Sequence, residues 1–297
     1  MKVEHELRHP IVSGIFYPEE AGELRRLVRE LVQQAESDEN TQTSPADHDR
    51  QVAHTLRVLL VPHASYQHIG SHLAQAFASI PEPARISRAV LISSVHRDFE
   101  DAAVLPGFTA FDTPLGPVNV DTTTVRRLTE YGDPYKIDNV PHTEEHSQEV
   151  LLPMLHEYCP EASIVPLLLG SDAKGMLDAA AQQLLRTDFV EDPNTLWILS
   201  SNLSNFTDSF NSQKEAERFI EEIEHPSGQL IASRKIKACG RNGLYLLRQL
   251  FSGGIRFIKL GIGRSGIIQP EQREVWYGSF AGYTPASAVS KMNREES

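Results

Sequence analysis

The chain has 297 residues, 40% hydrophobic and 23% charged, an ordinary globular composition that excludes wholesale disorder. Its 28 basic against 40 acidic side chains leave a net charge of −12, which argues against a phosphate-backbone ligand or a polybasic contact with membranes. No apolar run approaches the roughly 18 residues of a membrane span, and the opening MKVEHELRHP lacks the apolar core of a signal peptide. Two cysteines, Cys159 and Cys239, make neither a disulfide framework nor a CxxC knuckle. The expectation is a cytoplasmic protein whose partner is a small molecule or another protein, with no nucleic acid and no membrane.

In chain order, Pro18 and the acidic residues after it open a helix over 19–35, with Leu24, Leu27, Val28, Leu31 and Val32 on its buried face. The polar, aperiodic stretch over 37–54 reads as an exposed loop, and 285–297 as a flexible tail. Between them, short runs of Val, Ile and Leu predict strands over 57–61, 88–93, 163–169, 195–200, 255–260 and 274–281. Helices are predicted over 71–79, 121–131, 147–158, 174–186, 214–224 and 239–251, with Pro153 marking a kink or break. Residues 102–120, with Pro114, Gly116 and Pro117, read as a hairpin-like excursion. Continuous apolar strands alternating with helices imply an α/β fold with a largely parallel central sheet covered on both faces, in a single domain over 1–297.

Sites in open α/β sheets form beyond the carboxyl ends of the strands. Three predicted strands exit into polar text: Pro62-His63-Ala64-Ser65-Tyr66, Ser94-Val95-His96-Arg97-Asp98 and Ser201-Asn202-Leu203-Ser204-Asn205. A lone histidine is most often structural, but two at equivalent strand exits are candidates for chemistry. Cys239 falls where a helix begins, a position that lowers a thiol pKa, although most free cysteines are small buried apolar residues. Glu144-Glu145-His146-Ser147-Gln148-Glu149 is the densest polar segment. Ser147 could cap the following helix there, while His142, His146 and the glutamates could face the site and move protons. Gly261-Ile262-Gly263-Arg264-Ser265-Gly266 spells GxGxxG, but Pro270 stands where a phosphate-binding helix would run, so no nucleotide cofactor is expected.

Taken together, Gly14-Ile15-Phe16-Tyr17-Pro18, Val61-Pro62-His63-Ala64-Ser65-Tyr66, Thr113-Pro114-Leu115-Gly116, Glu145-His146-Ser147-Gln148-Glu149 with Leu152-Pro153, Ile164-Val165-Pro166 and Cys239-Gly240-Arg241 resemble, in order and spacing, the motifs of the Memo family, protein B of the AmmeMemoRadiSam system. That family is similar in fold to LigB-type class III extradiol dioxygenases. The resemblance implies a three-layer α/β/α sandwich with a metal-capable pocket at the strand ends. Carried over by motif, the ligands are His63, His96 and Cys239, and the ion is iron, copper or zinc. Tyr66, Arg97, Glu145, Asn202, Asn205 and Arg241 are then expected to line the pocket, with His146 as a substitute acid or base. Two imidazoles and a thiolate leave a coordination position open, and the thiolate favours softer ions.

The sequence departs from the family pattern at three points. Where the family has S-S-D-x-x-H, this chain has Ser200-Ser201-Asn202-Leu203-Ser204-Asn205, so neither titratable residue is present. Arg97 replaces a second histidine, a fixed cation for Asp98 or Glu100 to offset, and Ser65 replaces a glycine that would leave the loop free in φ. These departures favour a binding or scaffold protein with a repurposed pocket over a metal-dependent oxidoreductase. A cysteine-based hydrolase or transferase built on Cys239 is the third reading.

Overall fold

The computed structural model describes residues 6–37, 54–96, 102–170, 174–204, 209–227, 236–265 and 274–285. Among the described residues the main sheet has eight strands: β2 (His54–Val61), β3 (Arg88–Ser94), β4 (Ala103–Leu105), β7 (Tyr135–Ile137), β8 (Ser163–Leu169), β9 (Thr195–Ser200), β10 (Arg256–Arg264) and β11 (Trp276–Pro285). Their order is β10-β11-β2-β9-β3-β8-β4-β7. The central block β2-β9-β3-β8 is parallel, as is β4 with β7, while β10-β11, β11-β2 and β8-β4 are antiparallel. The middle strands are buried almost end to end, which is why they read as unbroken apolar runs. A small second sheet joins β1 (Leu7–Arg8), β5 (Ala110–Phe111) and β6 (Val118–Asn119).

Helices cover both faces. On one side α1 (Ala21–Ser37), α2 (Tyr66–Ala78) and α5 (Leu152–Tyr158) pack together. On the other, α6 (Lys174–Leu184), α7 (Ser209–Glu224) and α8 (Arg241–Leu250) are tied by Tyr245 to Asp178 and Arg248 to Glu222. Alternation along β3 puts the two layers on opposite faces: the Ser93 hydroxyl meets Ser147 on one, and Ile92 lies beneath Gly243 of α8 on the other. Two shorter helices, α3 (Thr122–Glu130) and α4 (Asn139–Glu144), are also present. Asp121 caps α3 by accepting the Thr124 N–H, and Asp138 caps α4 by accepting the Val140 N–H.

Several expectations are corrected. Residues 103–105 are not part of the hairpin-like excursion expected over 102–120 but form β4 inside the main sheet; β5 and β6 make the hairpin. The helix expected over 147–158 is a 3-10 turn, Glu149–Leu151, followed by α5, and Pro153 stands in the first turn of α5. Ser147 caps nothing: its hydroxyl donates to Ser93 Oγ. Strand β7 and helix α4 lack a periodic signal because each is too short to show one. Ser37 ends α1, His54 opens β2 and Pro285 closes β11, so residues 38–53 of the expected loop and 286–297 of the expected tail lie outside the described residues. Gly261 and Gly263 lie within β10, where their missing Cβ atoms leave room for Gln75 and His72 of α2. That contact accounts for two of the glycines in the GxGxxG text.

Candidate metal centre

Strands β2, β9 and β3 are adjacent and parallel, with Val61 opposite Ser200 and Leu199 opposite Ile92. His63, His96 and Asn202 each stand two residues past the last residue of their strand, Val61, Ser94 and Ser200. The register therefore delivers all three to the same edge. Cys239 approaches from the α8 layer, in the turn just before the helix, and two glycines allow that approach. A Cβ on Gly240 would collide with the Ser201 side chain, and one on Gly243 would collide with Leu199 and lie 2.9 Å from Ile92 Cγ2. Gly240 N–H donates to Ser201 Oγ at 2.8 Å and fixes the turn.

One ring nitrogen of His63, one of His96 and the Cys239 sulfur lie within 4.8 Å of one another, a grouping that could hold a metal ion. Cys239 Sγ is 3.8 Å from His63 Nε2. A tetrahedral ion with metal–nitrogen and metal–sulfur bonds of about 2.0 and 2.3 Å needs an N···S separation of about 3.5 Å, so the donors stand close to ligand spacing. The tautomers follow from the hydrogen bonds. Ser200 Oγ donates its single proton to Ser147 O at 2.6 Å, so toward His63 Nδ1, at 2.8 Å, it accepts. His63 thus carries its proton on Nδ1 and turns the Nε2 lone pair toward the sulfur. Glu145 takes the His96 N–H at 2.7 Å and faces His96 Nδ1 at 2.8 Å, so Nε2 is the nitrogen this ring turns toward the sulfur. Such partners are the usual means of orienting imidazole ligands.

Burial pushes the Cys239 thiol up, but the attraction of His63 and His96 outweighs it and holds the group well below the ordinary thiol value. His96 is pushed up to about 10 by its hydrogen bonds to Cys239 and Glu145. Glu145 is lowered, the bonds to His96 prevailing over burial. His146 stacks on the His96 ring at 5.9 Å and meets the His63 ring edge-on at 5.7 Å, with Phe16 closing its other side at 5.3 Å. Burial and the two neighbouring imidazoles push it down to about 4, so it is neutral at pH 7.

The structure brings His63, His96, Cys239, Glu145, His146 and Asn202 together. Arg97 and Asn205, with Asp98 and Glu100, lie outside the described residues. Tyr66 is displaced from the cluster: its hydroxyl donates to Val150 O at 2.9 Å and its ring helps line a separate cavity of about 370 Å³ with Gly14–Pro18, Leu27, Ser65 and Gln67. Arg241 opens α8, its guanidinium bonded to Ile236 O at 3.2 Å. Cys239 precedes the helix, whose cap is Gly240, so its sulfur takes the Asn202 N–H at 3.3 Å and not a helix N-terminus. His142 does not face the site; it is buried edge-on to Phe111 with Nε2 3.3 Å from Val104 O. Ser65 has φ −62° and ψ 141°, which any residue adopts, so the missing glycine leaves no strain.

Two contributors escaped the sequence reading. Ser200 was read as the last residue of a strand and the first of the Ser-Ser motif, with no role of its own. Arg8 gave no local signal at all: buried beside Glu149, it donates to the carbonyls of His142 at 2.9 Å and Glu145 at 2.8 Å, and so braces the segment that carries Glu145 and His146. Glu149 also accepts from Ile11 N, Val12 N and Tyr17 Oη.

Fold and site together define an α/β protein with a His/His/Cys cluster, able to hold a metal, at the carboxyl edge of a largely parallel sheet. Comparison with known families narrows this. The profile described as "Memo-like protein" matches residues 8–250. The chain belongs to the Memo family. It is 28% identical over 261 residues to a MEMO1 family protein of Thermotoga neapolitana, covering 85% of this chain and 91% of that one. With a MEMO1 family protein of Methanobrevibacter smithii it shares 27% identity, over 74% of this chain and 77% of the relative. Among solved structures, the uncharacterized protein JW3007 of Escherichia coli K12 superposes with a TM-score of 0.52 at 13% identity, covering 75% of this chain and 99% of that one, a likeness of fold alone. No helix among the described residues is long and apolar enough to cross a membrane.

Proposed function

We propose that this single-domain protein binds one transition-metal ion, iron, copper or zinc, through His63 Nε2, His96 Nε2 and Cys239 Sγ, and that its role is to hold that ion with a position open for a small molecule or a partner protein's donor group. The observation that carries this reading is the orientation of the two rings. Ser200 and Glu145 occupy the two Nδ1 positions and turn both Nε2 atoms toward the sulfur, and on His96 an ion would take the place of the proton shared with Cys239. The donor set fits the group: nitrogen and thiolate suit zinc, copper(I) and iron better than calcium or magnesium. Bound there, the ion would supply Lewis acidity or, for iron and copper, one-electron chemistry. Asn202 cannot exchange protons, and both ends of its amide are engaged with the His63 main chain.

A second reading, a metal-dependent oxidoreductase, draws on one further observation. His146 is a neutral imidazole against both ligand rings and is placed to accept a proton from a molecule at the open position. Elemental analysis of protein purified without a metal-affinity tag tests the first reading. Near-stoichiometric metal in the wild type should vanish in His63→Ala and Cys239→Ala. No uptake after anaerobic loading with iron(II), copper(I) or zinc would end it. Oxygen consumption by the loaded protein, lost in His146→Ala with metal content unchanged, would favour the second.

A further inference from the structure

Asn202 touches both halves of the cluster. Its Oδ1 accepts the His63 N–H at 3.1 Å and its Nδ2 donates to His63 O at 3.2 Å, so the amide grips both main-chain groups of one residue. Its own main-chain N–H donates to Cys239 Sγ at 3.3 Å. The neighbouring residues work in the same direction. Ser201 N–H continues the ladder to Val61 O at 2.8 Å, and Ser201 Oγ takes the Gly240 N–H of the cysteine turn. The run Ser200–Asn202 is thus bonded to the exit of β2 on one side and to the Cys239 turn on the other.

The pairing at His63 has a chemical requirement. A main-chain N–H needs an acceptor and the C=O beside it needs a donor, and an amide offers one of each at fixed spacing. A carboxylate would satisfy the N–H but would set a charged oxygen against the carbonyl oxygen. Asparagine here is therefore more than an aspartate that has lost its proton chemistry.

We propose that Asn202 is a positioning residue whose amide clamps the His63 main chain to the Cys239 turn and presets two of the three donors at ligand spacing. The proposal rests on the metal-binding reading above. Loss of a group that orients a ligand commonly weakens metal binding 10–100-fold, and Asn202→Ala should do so here. Cobalt(II), followed by its thiolate charge-transfer absorption, is the probe. Asn202→Asp should also bind more weakly than wild type, although it adds a negative charge beside the cation.

Unchanged cobalt affinity and spectrum in Asn202→Ala would overturn the clamp. So would tighter binding by Asn202→Asp, because charge rather than the amide pair would then be what the position supplies. A metal-free readout separates this from failure of the metal reading. In amide hydrogen exchange of the chelated protein, the His63 N–H should be protected in wild type and exchange at least tenfold faster in Asn202→Ala. If wild type takes up no cobalt, the metal reading fails and this exchange alone decides the clamp, equal rates refuting it. Should Asn202→Ala not fold, Asn202→Leu, close in size and unable to make either hydrogen bond, carries both measurements.

Discussion

His142 makes the stability of this protein acid-sensitive by an amount that can be worked out. The residue is 1% exposed, and burial pushes its pKa down to about 3, against about 6.5 for an unperturbed histidine. Between those values the unfolded chain binds the proton and the native one does not, so stability falls as pH falls. The loss starts near pH 6.5 and grows by about 1.4 kcal/mol per pH unit until about pH 3. From pH 7 to pH 5 it amounts to about 2 kcal/mol. In His142→Gln the side chain keeps a donor for Val104 O and cannot be charged. Urea unfolding of the chelated proteins at pH 7 and pH 5 should therefore show wild type losing about 2 kcal/mol more than the variant. His146 is also pushed down and works in the same sense, whereas the raised His96 works in the opposite sense; both are common to the two proteins and cancel in the difference. Equal acid losses in the two would refute the assignment. The consequence reaches the cluster, because the His142 carbonyl is one of the two through which Arg8 braces the Glu145 segment.

Four other substitutions probe the frame. Arg8→Met leaves Glu149 charged and buried with its ion-pair partner gone, and should cost about 3–5 kcal/mol in chemical denaturation; a loss under about 1 kcal/mol would mean the brace is dispensable. Ser200→Ala removes the acceptor for His63 Nδ1–H and should weaken metal binding about 10–100-fold in a competition titration, with no counterpart at the His96–Glu145 pair. Gly243→Ala forces a methyl group onto Ile92 and Leu199 and should cost about 1–3 kcal/mol, whereas Gly261→Ala meets the end of the Gln75 side chain, which can swing aside. Denaturation midpoints that rank the two glycines the other way would contradict the packing argument.

What the sequence revealed and what it hid follow from how far each signal reaches along the chain. The central strands were legible because a strand buried on both faces must be apolar throughout, and their exits were legible because polar text begins abruptly at His63, His96 and Ser201. Strand β4 was misread because three residues at the margin of a sheet carry no periodicity of their own; only pairing with β8 and β7 makes Ala103–Leu105 a strand. Arg8 was invisible for a related reason. Its partners lie more than 130 positions away, and a buried arginine looks like any other until the chain returns to it.

Asn202 was noticed for what it could not do. Read along the chain, it is an aspartate position without an acid. Across the ladder it faces a main-chain donor and a main-chain acceptor that together suit an amide. The loss of a titratable group and the gain of a two-ended clamp are the same substitution. The sequence shows the first because charge is a property of one residue. The second needs the parallel register that sets Val61 opposite Ser200 and so brings Asn202 alongside His63. The ring that stands against both imidazoles, His146, is held neutral by burial first and by those two neighbours second.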